Sequence, residues 1–247
     1  MSYVKDIQVG DNEYIDKIKN NSERIIIIFG PSAAGKDSIR NELLKDKDKV
    51  GIVRSTTRKK ADNEIEDVTY HYVSLESFKK ERYKALLSYS FHDNYYWEDS
   101  KELYEALENN PNSFLLLSMG SAQGVKEMKK ILPKVLTICI VATSDKLDEV
   151  EECIWRLKQR NREKAERMDQ RTDLIRKEIT LTKEIADYIV DNKRNKPQAA
   201  LGRIRDIINK LKIVRFLKES KVREVFHFLE DKEDYTIWAG IAAFYHT

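Results

Sequence analysis

The residues with the clearest chemistry in this 247-residue chain are Gly30-Pro31-Ser32-Ala33-Ala34-Gly35-Lys36. Two glycines flank four residues and the second precedes a lysine, a spacing that lets successive backbone amides turn toward phosphate oxygens. Lys36 would neutralise charge on β- and γ-phosphates. Gly30, Ser32, Ala33, Ala34, Gly35, Lys36, Asp37 and Ser38 are therefore the candidate cradle for ATP. The pattern breaks at Asp37, which stands where a hydroxyl would hold Mg²⁺. A carboxylate can ligate Mg²⁺ through water or beside substrate phosphates. Asp37 is thus the candidate metal residue, with capping of the following helix as the alternative.

A cradle of this kind works only between a strand and a helix. Ile25–Phe29 is a continuous apolar run, as in a parallel strand buried on both faces. Ile39, Leu43 and Leu44 recur after it at helical spacing, so a helix from about Lys36 would add its positive dipole end to the cradle. Further strands are expected at Val50–Val53, Val68–Val73, Ser113–Leu117, Val135–Ala142 and Tyr188–Val190. Helices are expected at Leu75–Leu87, Gln123–Ile131, from near Lys146, and at Ala199–Leu211. This alternation predicts an α/β fold with a mainly parallel core sheet. Residues 1–22 read as a polar leader. Residues 213–247 read as a helical extension whose apolar end, Tyr235–Tyr245, would fold onto the body, a second copy or another protein.

Bulk properties exclude several classes. Lys+Arg number 45 and Asp+Glu 42, a net charge of +3 that is too even for nucleic-acid or membrane binding by bulk electrostatics. Cys139 and Cys153 are the only thiols and form neither a disulfide framework nor a zinc site. Residues Met1–Asp6 have no apolar signal core, and no window approaches the ~18 apolar residues of a membrane span. The chain is read as cytoplasmic. The four histidines, His71, His92, His227 and His246, are scattered, and only His92 lies close in sequence to Tyr95-Tyr96.

Beyond the phosphate loop, Ser55-Thr56-Thr57-Arg58, the strand segment Asp67–Ser74, Asn94-Tyr95-Tyr96 and Gln123-Gly124 occur in an order that resembles the guanylate kinase family, over about residues 23–212. Arg156, Arg160 and Arg171 fall in a segment similar to that family's arginine-rich lid. The resemblance implies a P-loop NTPase three-layer fold with an acceptor-binding insert at about 54–112 and a lid at about 156–180. It further implies transfer of the γ-phosphoryl group of Mg-ATP to a small phosphorylated acceptor, a nucleoside monophosphate. Arg58, Tyr70 and Tyr96 would hold the acceptor's phosphate. Lys36, Arg58, Arg160 and Arg171 would stabilise the transferring group, whose charge must be met electrostatically.

The family's guanine-reading residues do not carry over. Its carboxylate before Asn-Tyr-Tyr becomes Leu87-Ser88, its following Gly-Ser becomes Trp97-Glu98, and its acidic strand end becomes Met119-Gly120-Ser121. A second arginine of the phosphate site becomes Ala61. Glu98 and Ser121 are the candidate substitutes for contacts to the acceptor, and GMP specificity is in question. Gly35-Lys36-Asp37-Ser38 is also similar to the loop of the ribose 1,5-bisphosphate phosphokinases, so a sugar-phosphate acceptor is the alternative. A non-catalytic module that binds a phosphorylated partner is the third reading.

Overall fold

In a computed structural model, the protein is described at residues 4–61, 64–91, 93–159 and 168–219, without the side chains of 168–171 and 216–219. Two compact units divide the chain, Met1–Leu201 and the remainder from Gly202.

The first unit is built on two sheets. Ile25–Phe29 forms β2, buried along its whole length. It is the middle strand of a parallel sheet with β3 (Lys49–Val50), β8 (Phe114–Met119), β9 (Leu136–Thr143) and β10 (Tyr188–Lys193). Their order is β10-β9-β2-β8-β3. A strand flanked on both sides and covered on both faces needs apolar side chains at every position, which accounts for the unbroken Ile-Ile-Ile-Ile-Phe run. Helices α2 (Lys36–Leu43), α5 (Ala122–Ile131), α6 (Glu149–Gln159) and α7 (Met168–Ile185) pack on this sheet. Parallel strands place their carboxyl ends on one edge, where ligands of open α/β sheets bind.

The second sheet has the order β1-β6-β7-β4-β5, from β1 (Val4–Val9), β6 (Ala85–Phe91), β7 (Asn94–Asp99), β4 (Ser55–Thr56) and β5 (His71–Tyr72). Its pairings are antiparallel except β4 with β5. Helices α3 (Leu75–Glu81) and α4 (Ser100–Asn109) flank these strands in sequence. Ser74 caps α3 by accepting from the Ser77 amide at 3.0 Å, and Asp99 caps α4 from Lys101 and Glu102.

Three local readings change. The helix expected over Leu75–Leu87 ends at Glu81, and Ala85–Phe91 turns into β6 after a short 3₁₀ turn. Ala85, Leu86 and Leu87 are all buried between β1 and β7, so strand pairing overrides the helical spacing. The alternating segment Val68–Val73 contributes only His71–Tyr72 to a strand, and Val68 is exposed. The leader is ordered: Val4–Val9 is the edge strand β1, followed by α1 (Tyr14–Lys19), which packs on α4.

The second unit is described only where α8 (Pro197–Glu219) continues into it, and the rest of the expected extension lies outside the described residues. Among the described residues no helix is long and apolar enough to cross a membrane.

Beyond β1 the chain closes onto the 3₁₀ turn: Asp11 donates its amide to the Tyr83 carbonyl at 3.1 Å, and Asn12 bonds the same oxygen and the Ser100 hydroxyl. Gly10 has no space for a side chain, because an added Cβ would overlap the Ala85 carbonyl oxygen. Gly10→Ala should therefore cost about 1–3 kcal/mol by forced overpacking. The midpoint of urea unfolding should fall accordingly, and an unchanged midpoint would show that this junction has slack.

Candidate active site

The phosphate loop leaves β2 through backbone that side chains rarely adopt. Gly30 has φ +148° and Gly35 φ +92°, and Ala33 between them sits at φ +65°. A left-handed alanine costs about 1–2 kcal/mol, so surrounding contacts must hold it. An added Cβ on Gly30 would overlap the Ile140 carbonyl, and one on Gly35 the Asn192 amide. The loop thus runs directly against the neighbouring strands. Gly35 caps α2, which starts at Lys36.

A loop whose amides turn inward must find partners for its outward carbonyls. The Ala34 carbonyl accepts from Asn192 Nδ2 at 2.7 Å, at the end of β10, and more distantly from Arg156 at 3.5 Å. Arg156 also donates to the Asn192 carbonyl at 2.7 Å and to Glu152 at 2.7 Å. Glu152, with no exposed side-chain surface, is shared with Arg194. The Arg194 guanidinium carbon lies over the Trp155 ring, 3.6 Å from its centroid. Beside this network opens a cleft of about 570 Å³ lined by Gly35, Ser38, Trp155, Arg156, Arg194 and Gln198 among others. That volume suits a nucleotide base and sugar.

Arg156, expected in the lid segment, thus braces the loop's outer side. Arg160 lies outside the described residues. Arg171 is on α7, and its side chain is outside the description.

Across the strand ends, the second sheet brings Arg58, Tyr70 and Tyr96 together. Arg58 lies 5.2 Å from the Tyr70 ring centroid, and Tyr70 meets Tyr96 edge-on at 6.1 Å. Glu64 holds Arg58 through two bonds of 2.8 and 2.9 Å and also accepts from Tyr72 at 2.8 Å. Burial works against the Arg58 charge, but the Glu64 bonds outweigh it and raise its pKa above the usual arginine value. Burial and the nearby Asp37 charge push the Tyr70 hydroxyl upward, so it remains a neutral donor.

Asp37 follows Lys36 in the first turn of α2. Its carboxylate accepts from Ser118 Oγ at 2.6 Å, at the end of β8. No group of three His, Cys, Asp or Glu side chains able to hold a metal occurs among the described residues. A single carboxylate with substrate phosphates and waters still fits Mg²⁺, which keeps several waters and takes one or two carboxylates.

The other two candidate acceptor contacts sit elsewhere. Ser121 is fully buried, and its hydroxyl caps α5 by accepting from Gly124 at 3.2 Å. Glu98 is fully buried under the tyrosines, with Oε1 2.6 Å from Arg54 Nε. Arg54, absent from the sequence-derived set, stands 5.6 Å from the Tyr96 ring centroid. Its sequence signal was a single arginine closing the apolar run Ile52–Val53. The Cys139 and Cys153 thiols are buried, and burial pushes both up to about 12, so neither is a nucleophile near neutral pH.

The Glu152 network makes a pH prediction. Burial alone would raise this carboxyl, but hydrogen bonds from Arg194 and Arg156 outweigh it and hold its pKa below the ordinary value. A depressed folded-state pKa stabilises the protein above the unfolded value, and the stabilisation is lost as pH falls through the folded value. Glu152→Gln should thus be less stable than wild type at pH 7, with the difference shrinking below about pH 4.3. Urea unfolding at pH 7 and pH 3 checks this, and an equal difference at both would refute it.

A family model described as guanylate kinase matches residues 22–211. The chain is 30% identical over 178 residues to a guanylate kinase of Clostridioides difficile (strain 630), covering 71% of this chain and 82% of the relative. It is 32% identical over 218 residues to one of Mesoplasma florum, covering 87% and 70% respectively. Among solved structures, guanylate kinase from Anaplasma phagocytophilum superimposes with a TM-score of 0.58 at 21% identity, covering 89% of this chain and 97% of that one. That likeness supports the P-loop α/β fold. With its phosphate loop at the end of β2 and a family match across most of its length, the chain belongs to the guanylate kinase family and is a kinase of the nucleoside monophosphate class.

Proposed function

We propose that this protein transfers the γ-phosphoryl group of Mg-ATP to a nucleoside monophosphate held on the second sheet. The observation that carries this reading is that the end of β8 joins two candidate phosphate sites, since Ser118 bonds Asp37 through its hydroxyl and Arg54 through its carbonyl. On one side is the Gly30–Lys36 loop at the start of α2. On the other is Arg58 with Tyr70, and Asp37 acts electrostatically on Tyr70. The guanylate kinase names of the relatives support the acceptor class.

In this reading the chain works by positioning. The loop amides and Lys36 hold the donor phosphates, while the base rests in the cleft beside Trp155 and Arg194. Arg58, with the Tyr70 and Tyr96 hydroxyls, presents an acceptor phosphate oxygen in line. Arg160 and Arg171 are the lid arginines that meet the charge developing on the transferring group. Asp37 and Ser118 would hold Mg²⁺, which supplies charge neutralisation between the phosphates.

The test is ADP release from Mg-ATP against GMP, dGMP, the other nucleoside monophosphates and ribose 1,5-bisphosphate. Lys36→Ala should lower acceptor-dependent turnover by about 100-fold or more, the scale of removing a preorganised charge contact. Asp37→Ala should raise the Mg²⁺ concentration needed for half-maximal rate, and an unchanged requirement would remove Asp37 from the metal site. Turnover with ribose 1,5-bisphosphate alone would replace the acceptor class with a sugar phosphate. Loss of Mg-ATP binding in a folded protein would favour a binding module.

A further inference from the structure

We propose that residues 4–24 form a strap that fixes the second sheet relative to β2 and so positions Arg58 and its neighbours for the acceptor. The role in acceptor binding rests on the acceptor site lying on the second sheet, as proposed above. Residues 4–21 precede the stretch that the family model matches, and every candidate donor, acceptor and metal residue lies after them.

Among the described residues the chain passes between the two sheets three times. It runs from β3 into β4, returns from β7 through α4 to β8, and joins β1 to β2 through α1. β4 and β7 are neighbours in the second sheet. A sheet attached only through adjacent strands can swing about them as a hinge. β1 lies at the edge of the sheet, with β6 between it and β7. A third crossing from that edge opposes the swing.

The strap is held along its course. In β1, the Asp6 carboxylate accepts from Tyr95 Oη at 2.9 Å, and its carbonyl accepts from Arg82. The Tyr95 amide donates to Thr57 Oγ1 at 2.9 Å, and its carbonyl accepts from the Thr57 amide and from Thr56 Oγ1. Thr56 Oγ1 in turn accepts from the Arg58 amide at 3.1 Å. Asp6 thus reaches Arg58 through Tyr95 and Thr56.

Beyond β1 the strap follows α4 from its first turn to its end. Asn12 donates to Ser100 Oγ at 3.2 Å, and the Tyr14 and Tyr104 rings meet at 5.5 Å with Lys17 against both. The buried Arg24 donates to the Leu107 and Asn110 carbonyls at 3.0 Å, a favourable place for a cation at a helix C-terminus. β2 begins at the next residue. Val4 and Ile18, both buried, share one apolar cluster with Ile25, Ile27 and Phe29. A mere cover for the edge of β6 would need β1 alone, whereas the clamps on α4 join that edge to the strand that ends in the phosphate loop.

The test loosens the strap without removing it, by a flexible Gly-Ser-Gly-Ser-Gly-Ser insert between Asp11 and Asn12. Asn12→Ala, which keeps the chain length, is the second variant and decides the matter if the insert does not fold. Spin labels at Lys79→Cys in α3 and Lys146→Cys after β9, both exposed, read the distance between the two sheets, since the native Cys139 and Cys153 are buried. Without any ligand, the distance distribution should be narrow in the parent chain and broader in both variants, most in the insert. In turnover with Mg-ATP and GMP, the insert should raise the KM for GMP about tenfold and leave that for ATP within about twofold, the scale of a small misplacement on the acceptor side only. Equal distributions in parent and variants would overturn the strap. A broader distribution with unchanged KM for GMP would overturn its role in positioning the acceptor, and an equal rise in both KM values would reduce it to general stability. A parent chain that neither binds GMP in calorimetry nor turns it over would count against the acceptor reading, while the distance distributions would still decide the strap.

Discussion

The site depends on how the Ala34 carbonyl is held. A phosphate loop turns its amides toward the ligand, and its carbonyls must then be satisfied from behind. Here Asn192 does this from the last parallel strand, at 2.7 Å, while Arg156, in the last turn of α6, donates to the Asn192 carbonyl at 2.7 Å. The loop conformation includes a left-handed alanine and two glycines whose Cβ positions are filled by neighbouring backbone or amide. Such a loop would relax without its brace. The order β10-β9-β2 therefore does more than complete a sheet: it delivers Asn192 to the Ala34 carbonyl.

A second constraint governs the sheet that carries Arg58, Tyr70 and Tyr96. Glu98 and Arg54 are both buried, and taking two charges out of water costs several kcal/mol per ion before their attraction offsets it. Burial pushes the Glu98 carboxyl upward, against the pull of Arg54, and neither Glu98 oxygen has a well-aligned hydrogen bond among the described residues. For Arg54, burial opposes the charge but Glu98 outweighs it and raises the pKa above its usual value. Such a pair is weak as a source of stability. Its value lies in fixing one orientation, since removing either partner leaves a buried charge alone, at about 3–5 kcal/mol. Arg58, Tyr70, Tyr96, Arg54 and Tyr89 follow one another through ring and guanidinium contacts on this sheet.

The parallel sheet was legible because its signals are local. Ile25–Phe29 and Ile138–Ala142 are uninterrupted apolar runs, and the Gly30–Lys36 spacing marks the loop without reference to distant residues. The second sheet was harder. β6 follows a helix and a 3₁₀ turn with no glycine or proline between, so its Ala-Leu-Leu start reads as more helix. β1 alternates too weakly to be distinguished from a leader, and only pairing with β6 defines it. In the site, Lys36, Arg58, Tyr70 and Tyr96 came from ordered motifs. Asn192, Arg156, Arg194 and Arg54 make contacts 35 to 158 positions away in sequence, and no spacing rule reports such contacts. Glu98 and Ser121 were legible as polar residues at the right places, but burial and capping are three-dimensional facts.

Ser118 shows how the two halves meet. It is the penultimate residue of β8, where side chain and carbonyl point in different directions from a single backbone position. Its hydroxyl bonds Asp37, at the start of the helix behind the phosphate loop, and its carbonyl bonds Arg54, under the acceptor face. A shift of the β8 end by a fraction of an ångström would loosen both bonds together. Asp37 in turn acts on Arg40 and Tyr70, and Arg40 is anchored to the Leu116 and Ile52 carbonyls at 3.0 and 2.8 Å. The carboxylate beside the phosphate loop and the arginine against the Tyr89 and Tyr96 rings are therefore set by one strand terminus. Phosphoryl transfer requires donor and acceptor oxygens to be aligned in line, where misplacement by about 1 Å can cost 100-fold in rate. Building both sides from one strand end is a direct way to hold that alignment.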